Sequence, residues 1–372
     1  MSKSEARISP AILTGIVVAT LLAGCGRERL QPGEARLVVD GRARVTTASK
    51  AFTVRDTRRL HRGDRVRVLV GTASVELSDD RSLELRRRSA ITVQEPLQLT
   101  TGDTLAKAAG TALTVRTAMT DVVVTRGASR IVSSLAVRAG AYSGGLDVDS
   151  AGRRLHVPAL RQAVVPTAGL VPDRPLPIAY EPSDAWDRHY LGEAIDLGAE
   201  LANRSRGFAG QVSPAEGSTA AFFRRVLSQL ASEPAFEDAT VEADRSPGET
   251  LVGAAIVVLS NRGAFAERWA AVFGFRDDGA DWGLVAQDQG VDRTPLLDEI
   301  DKVITRATAP LAGPPPPVGP DAGPAPAIPL GPPPPSSPPE RTNPTTRHRT
   351  TTTRPKATTT SLPIPTVTIP NR

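Results

Sequence analysis

The chain has 372 residues, 40% of them hydrophobic, and 45 basic against 40 acidic side chains leave a net charge of +5. Its one cysteine, Cys25, excludes an internal disulfide and a cysteine-built metal centre, so ordinary apolar cores must carry the fold. The small net charge hides a reversal: residues 27–166 hold 24 basic and 14 acidic side chains, whereas residues 167–308 hold 13 and 23. A change of sign that sharp predicts a domain boundary near Pro166–Pro177. It leaves three readings of the basic half: it meets an anionic lipid or cell-wall polymer outside the molecule, it meets the acidic half itself, or it is a set of solvated strand faces rich in arginine.

A short charged stretch (Lys3, Glu5, Arg7) leads into an apolar segment over residues 11–22, followed by small residues and Cys25. That order is the pattern of a secretory signal. About twelve apolar residues are too few for a membrane-spanning helix, which takes roughly 20. Leu22-Ala23-Gly24-Cys25 resembles the bacterial lipobox, where the thiol is diacylated and becomes the mature N-terminus. The resemblance implies a signal peptide over 1–24 and a lipid anchor at Cys25, on the extracytoplasmic side of the cell membrane. An uncleaved N-terminal anchor and a coincidental cysteine are the competing readings.

From Arg36 to about Val165 the pattern is β throughout. Leu37–Val39 and Ala43–Val45 flank Asp40-Gly41, which reads as a two-residue hairpin turn because glycine accepts positive φ. Arg65–Val68 alternates with period two, as do Ser74–Leu77 and, after a turn at Asp79-Asp80, Ser82–Leu85. Further short strands fit at Ala112–Val115, Asp121–Thr125, Ser134–Arg138, Ala141–Val148 and Arg154–Val157. Gly102, Gly110, Gly127, Gly140, Gly144-Gly145 and Gly152 read as the turns between them. Many short strands without a helical period predict an all-β sandwich or stacked-strand fold.

Leu60-His61-Arg62-Gly63-Asp64-Arg65-Val66 resembles the Leu-x-x-Gly-Asp-x-Val element of the FecR domain family. The alternating segments Ala73–Leu77 and Ser82–Leu85, and later Gly127–Ile131, Tyr142–Val148 and Val157–Val164, resemble that family's succession of strands. The likeness covers residues 33–168, with Gly63 and Asp64 as its motif residues. It implies an extracytoplasmic β domain of the signal-relay type, which in familiar members passes a signal through a membrane helix to a sigma factor. About ten residues precede the apolar segment here, so no sigma-binding domain is expected and only the domain carries over.

From Asp184 the period changes to 3–4. Trp186, Tyr190, Leu191, Ala194, Leu197 and Leu201 line one helical face, with Asp184 as the cap. A second helix carries Phe222, Phe223, Val226, Leu227 and Leu230. A third starts at Ser246-Pro247-Gly248-Glu249, which combines a capping serine, a proline suited to the first turn and a capping-box glutamate. Arg262–Val272 reads as a fourth. Phe273–Phe275 and Trp282–Val285 around Asp277-Asp278-Gly279 read as a hairpin, and Thr294-Pro295 opens a last helix. Residues 180–308 are thus expected to form a small α+β domain. Residues 309–372 hold 20 of the 33 prolines with threonine clusters and are expected to be a disordered Pro/Thr-rich tail.

The chemistry is sparse. His189 shares a predicted helix with Asp184, Asp187, Glu193 and Asp196, a spacing more typical of a solvated face than of a metal site. Asp147–Gly152 begins like a calcium loop, but Ala151 offers no oxygen at the fifth position and Pro158 replaces the twelfth-position glutamate. There is no Gly-x-Ser-x-Gly elbow and no phosphate-cradling loop, and the basic half has too few aromatics for a nucleic-acid stacking platform. No catalytic residue, cofactor, metal or nucleic-acid partner is therefore expected. The leading expectation is a non-enzymatic envelope lipoprotein whose FecR-like domain binds a protein or cell-wall partner, in sensing or scaffolding. The alternative is an envelope enzyme with its site in residues 180–308, using Asp277, Asp278 and Asp281.

Overall fold

The computed structural model describes residue 30 and residues 34–213, 219–237 and 245–308. Leu22, Ala23, Gly24 and Cys25, and the whole of 309–372, lie outside the described residues. Everything described falls in one compact unit.

Fourteen strands come first: β1 Ala35–Thr46, β2 Ala51–Val54, β3 Thr57–Leu60, β4 Arg65–Glu76, β5 Ser82–Leu85, β6 Ala90–Thr92 and β7 Leu97–Ala108, then β8 Leu113–Arg116, β9 Asp121–Ser133, β10 Val137–Ala141, β11 Gly145–Ser150, β12 Arg153–Pro158, β13 Arg161–Val165 and β14 Leu176–Pro177. They join one hydrogen-bonded network in the order β14-β13-β10-β9-β8-β7-β5-β4-β1-β2, with β3, β6, β11 and β12 attached at its sides. The pairings are antiparallel except β7 with β8.

Four strands of 12 or 13 residues organise this network, and each has a glycine with positive φ near its middle: Gly41, Gly71, Gly102 and Gly127. On either side of that glycine the strand has different partners. β1 pairs with β3 over Ala35–Val38 and with β2 over Ala43–Thr46. β4 pairs with β6 over Arg65–Arg67 and with β5 over Ala73–Glu76. β7 pairs with β6 up to Thr101 and with β5 from Thr104, while β9 leaves β8 and joins β10. Bent strands that change sheets are how an orthogonally packed β core turns its corners.

These glycines correct the sequence expectation of several short strands. Asp40-Gly41 is not a hairpin turn but lies inside β1, with Gly41 facing Gly71 of β4. A Cβ on Gly41 would sit 2.3 Å from the Val70 carbonyl oxygen, so two backbones touch where β1 and β4 bend together. The tight hairpin turns are at Asp79-Asp80 and Ala151-Gly152, both residues of each having positive φ. The second closes the β11–β12 hairpin, which accounts for the calcium-loop-like run. Leu37, Val75, Leu83, Leu99, Val122 and Leu146 fill the sheet core, each fully buried, at about 1.5–3 kcal/mol per side chain.

The helical part comprises α1 Ala185–Gln211, α2 Ala220–Val226, a 3₁₀ turn at Ser228–Ser232, α3 Pro247–Leu259, α4 Phe265–Asp277, α5 Trp282–Gln289 and α6 Arg293–Thr308. Asp184 caps α1 through the Trp186 and Asp187 N–H groups, and Ser246 caps α3 through the Glu249 N–H. The side chain of Glu249 reaches Arg276. α3 is buried on nearly every side and forms the axis of the bundle. Phe223, Phe236, Trp269, Phe273 and Trp282 run beside it, each ring meeting the next at 4.5–6.4 Å.

The expected α+β character is corrected: residues 180–308 contain no strand among the described residues. Asp277-Asp278-Gly279 is a turn, but it joins two helices. Gly279 takes positive φ behind α4, the Ala280 N–H returns to the Phe275 carbonyl, and Asp281 caps α5 through the Leu284 N–H. Alternating apolar residues and two glycines suggested strands; capping chemistry at both ends of the turn made helices.

Candidate functional site

The sheet and the helices share a core. Leu105, Ala128, Tyr142, Leu160 and Ile178 belong to the apolar cluster built by α1, α3, α4 and α5. Above that core the first turn of α1 docks into a polar clasp. Asp184, while capping its own helix, takes a two-pronged grip from Arg86 (Nη2 to Oδ1, 2.7 Å) and a further bond from Arg130 at 3.3 Å. Asp103 of β7 binds both arginines, Arg86 at 3.1 Å and Arg130 at 3.0 and 2.6 Å. Asp187, 0% exposed, accepts from Arg130 at 3.1 Å, from the Glu181 backbone N–H at 2.8 Å and from the Tyr142 hydroxyl.

The flanks of the clasp are aromatic. The Arg86 guanidinium lies 3.7 Å over the Trp186 ring, whose Nε1 donates to Glu84 at 3.2 Å, and Glu84 also holds Lys107 at 2.6 Å. Tyr142 stacks on Tyr190 with centroids 4.8 Å apart. The hydrogen bond from Arg86, with Arg130 adding charge, keeps the Asp184 carboxyl well below its ordinary range against the opposing effect of burial. Burial, reinforced by Asp187, pushes the Tyr142 hydroxyl well above its usual value. For Arg130 burial acts downward, but the bonds and charge of Asp103 outweigh it and the guanidinium is held more firmly charged. Arg161 extends the contact, reaching Asp288 at 2.7 Å while lying over Phe275. Part of the basic surplus of the sheet therefore meets part of the acidic surplus of the helices.

Beside the clasp is an open cleft of about 350 Å³. The β-register places Gly140 between Arg130 on β9 and Gln162 on β13. With no side chain there, a trough opens between its neighbours, roofed by Ile178, Ala179, Tyr180 and Glu181. A Cβ on Gly140 would come within 3.1 Å of Ile178 Cδ1. Gln162 is 8% exposed and its Oε1 is buried without a hydrogen-bond partner. Arg138 is exposed at the rim and makes no ion pair among the described residues. A free guanidinium, an unpartnered amide carbonyl and the Glu181 carboxylate give the cleft donors and acceptors for a polar ligand or segment of a partner.

The sequence-predicted positions fall elsewhere. In Leu60–Val66, Gly63 takes positive φ and its N–H bonds to the Val93 carbonyl, while the buried Asp64 carboxylate accepts from the His61 N–H at 2.9 Å. Gly63 and Asp64 thus shape the turn into β4. His189 sits edge-on to Tyr190, and no group of three or more metal-ligating side chains exists among the described residues. Asp277 pairs with Arg245, Asp278 with Arg174, and Asp281 caps α5, with its pKa raised by burial, so the three do not converge. No described helix is long and apolar enough to cross a membrane. The clasp was half visible in the sequence: Asp184 is legible as a cap, but its arginines lie 54 and 98 residues away. Gly140, expected as a turn, lies inside β10, and nothing local tied it to Arg138 or Gln162, since only strand register brings them together.

No family model matches the chain, and no curated protein matches it. Two crystal structures of a candidate anti-sigma factor from Parabacteroides distasonis ATCC 8503 are similar over 33% and 29% of this chain, at 16% and 17% identity and TM-scores of 0.28 and 0.26. The similarity spans 63% and 57% of those chains, less than two thirds of their length.

Proposed function

We propose that the chain is an envelope lipoprotein, anchored through Cys25 outside the cell membrane. In this reading its FecR-like β domain, residues 33–168, binds a protein or cell-wall partner in a sensing or scaffolding role. The observation that carries the binding role is the cleft around Gly140, where the exposed Arg138 and the buried, unpartnered Gln162 carbonyl offer hydrogen bonds that the described residues do not take up. The clasp supports the same reading, because it fixes the roof of the cleft to α1 through the Glu181–Asp187 bond and so keeps the trough preformed.

A photo-crosslinking residue in place of Val132, at the cleft edge, tests the role in living cells. One partner should be captured, and Arg138→Glu should reduce that capture at least tenfold without altering the amount of folded protein. An unchanged capture pattern in Arg138→Glu would sink the cleft as the binding site. Attachment is tested separately: Cys25→Ser should abolish fatty-acid labelling, since the chain has no other thiol.

A further inference from the structure

The β1–β4 ladder treats its charges in two ways. At one end Arg36 lies opposite Glu76 and donates to it through Nε at 2.8 Å, an ordinary cross-strand ion pair. Beyond the Gly41/Gly71 bend, Arg44 lies directly opposite Arg67, with Arg65 two positions further along β4 and Arg42 two positions back along β1. All four are exposed, and none makes an ion pair among the described residues. Like charges facing each other across a ladder disfavour the pairing. Asp40, the neighbouring carboxylate on β1, faces Thr72 and makes no ion pair with them among the described residues.

The same outer face carries apolar side chains. Leu69 and Val70 are 38% and 43% exposed, and Val70 lies opposite Arg42. They belong to the bulge where β4 bends, so they stand among the four arginines. Guanidinium groups interleaved with exposed aliphatic side chains suit the boundary of an anionic bilayer, where headgroup phosphates meet the cations and the apolar groups leave water. They suit a dissolved polyanion less, because it offers Leu69 and Val70 nothing.

We propose that this outer face of β1 and β4 rests on an anionic phospholipid surface, with Arg42, Arg44, Arg65 and Arg67 on headgroup phosphates and Leu69 and Val70 at the interface. The inference deepens the lipoprotein reading. Nine residues lie between Cys25 and Ala35, at most about 36 Å of extended chain from one to the other, so the anchor would hold this face close to the headgroups. The contact would then fix which way the cleft is presented.

The test uses the full chain carrying Cys25→Ser, so that no lipid is attached, with vesicles of phosphatidylglycerol or of phosphatidylcholine alone. Any contribution from apolar residues 11–22 is common to all variants. Binding to phosphatidylglycerol should exceed binding to phosphatidylcholine and should fall steeply between 0.01 and 0.15 M salt, as the Debye length shrinks from about 30 to about 8 Å. Each arginine at the surface is worth about a fivefold gain, so Arg44→Ala/Arg67→Ala should weaken binding about 25-fold, and Leu69→Ser should weaken it further. The double variant should fold as well as the parent, because the two side chains make no ion pair among the described residues. Equal binding to both vesicle types, or undiminished binding by a folded double variant, would overturn the proposal. Retention on an anionic wall polymer but not on vesicles would also overturn it, in favour of the polymer. Because fatty-acid labelling at Cys25 is a separate measurement, either reading can fail while the other stands.

Discussion

In the helical half five guanidinium groups are matched to carboxylates: Arg204 with Asp301, Arg245 with Asp277, Arg276 with Glu249, Arg188 with Asp196 and Arg293 with Glu200. On the outer face of β1 and β4, Arg42, Arg44, Arg65 and Arg67 have no such partners among the described residues. Backbones differ as well. The helices approach each other over glycines, with the site of a Cβ on Gly283 of α5 only 1.8 Å from the Ala194 carbonyl oxygen of α1, whereas the long strands use glycine to bend. Much of the charge in the helical half therefore joins one part of the molecule to another, while the four arginines of the β1–β4 face make no such link among the described residues. Between the two regions lies the clasp, where arginines of the sheet are consumed by acids of α1.

The largest effect should come from breaking the clasp. Asp187→Ala leaves Arg130 and the Tyr142 hydroxyl short of a partner in a nearly dry site, and should cost about 3–5 kcal/mol in urea unfolding. A loss under 1 kcal/mol would mean that the sheet and helices do not depend on this contact. Next comes Gly283→Ala, which forces α1 and α5 apart and should cost about 1–3 kcal/mol. The same exchange at Gly110, where a Cβ would meet nothing within 4 Å, should be close to neutral, and equal effects would erase the distinction between close approach and open turn.

Acid should act less severely and in one direction. The Asp184 carboxyl is depressed in the folded state, so its contribution is fully present above the unfolded value near 3.9 and is lost as pH falls through the lower folded one. Thermal unfolding should therefore show a loss below about pH 4 that Asp184→Asn removes, and an identical acid slope in that variant would assign the effect to other carboxylates. The smallest effects separate the two arginine populations. Arg204→Ala, which removes the two-pronged pair with Asp301, should destabilise by under about 1 kcal/mol. Arg44→Ala should be neutral or slightly stabilising, since it relieves the repulsion opposite Arg67.

Period-two alternation made β4 legible over Arg65–Val68, and its buried Val66 and Val68 follow that alternation. Asp184 and Ser246 were equally legible, because a cap is chemistry between residues two or three apart. Gly41 was misleading for a physical reason: positive φ serves a hairpin turn and a mid-strand bend alike, and only the partner strand, 30 residues on at Gly71, decides between them. Phe273–Val285 was misread because alternating apolar residues fit either a strand or a short helix end packed on several sides. The cleft was not legible at all, for Arg130, Gly140 and Gln162 become neighbours through register, which no local pattern encodes.

The clasp also limits modularity. A sheet cut free after residue 168 would lose Ile178, bare Leu105, Ala128, Tyr142 and Leu160 to water, and leave Arg130 with Asp103 as its remaining carboxylate in the clasp. The strands are therefore not a cassette that can be transplanted alone. Any chain that borrowed them would have to bring its own cover, complete with an acid at the start of a helix. By the same reasoning, a single proteolytic nick between residues 166 and 177 should leave the two pieces travelling together, joined by contacts that the severed backbone never supplied.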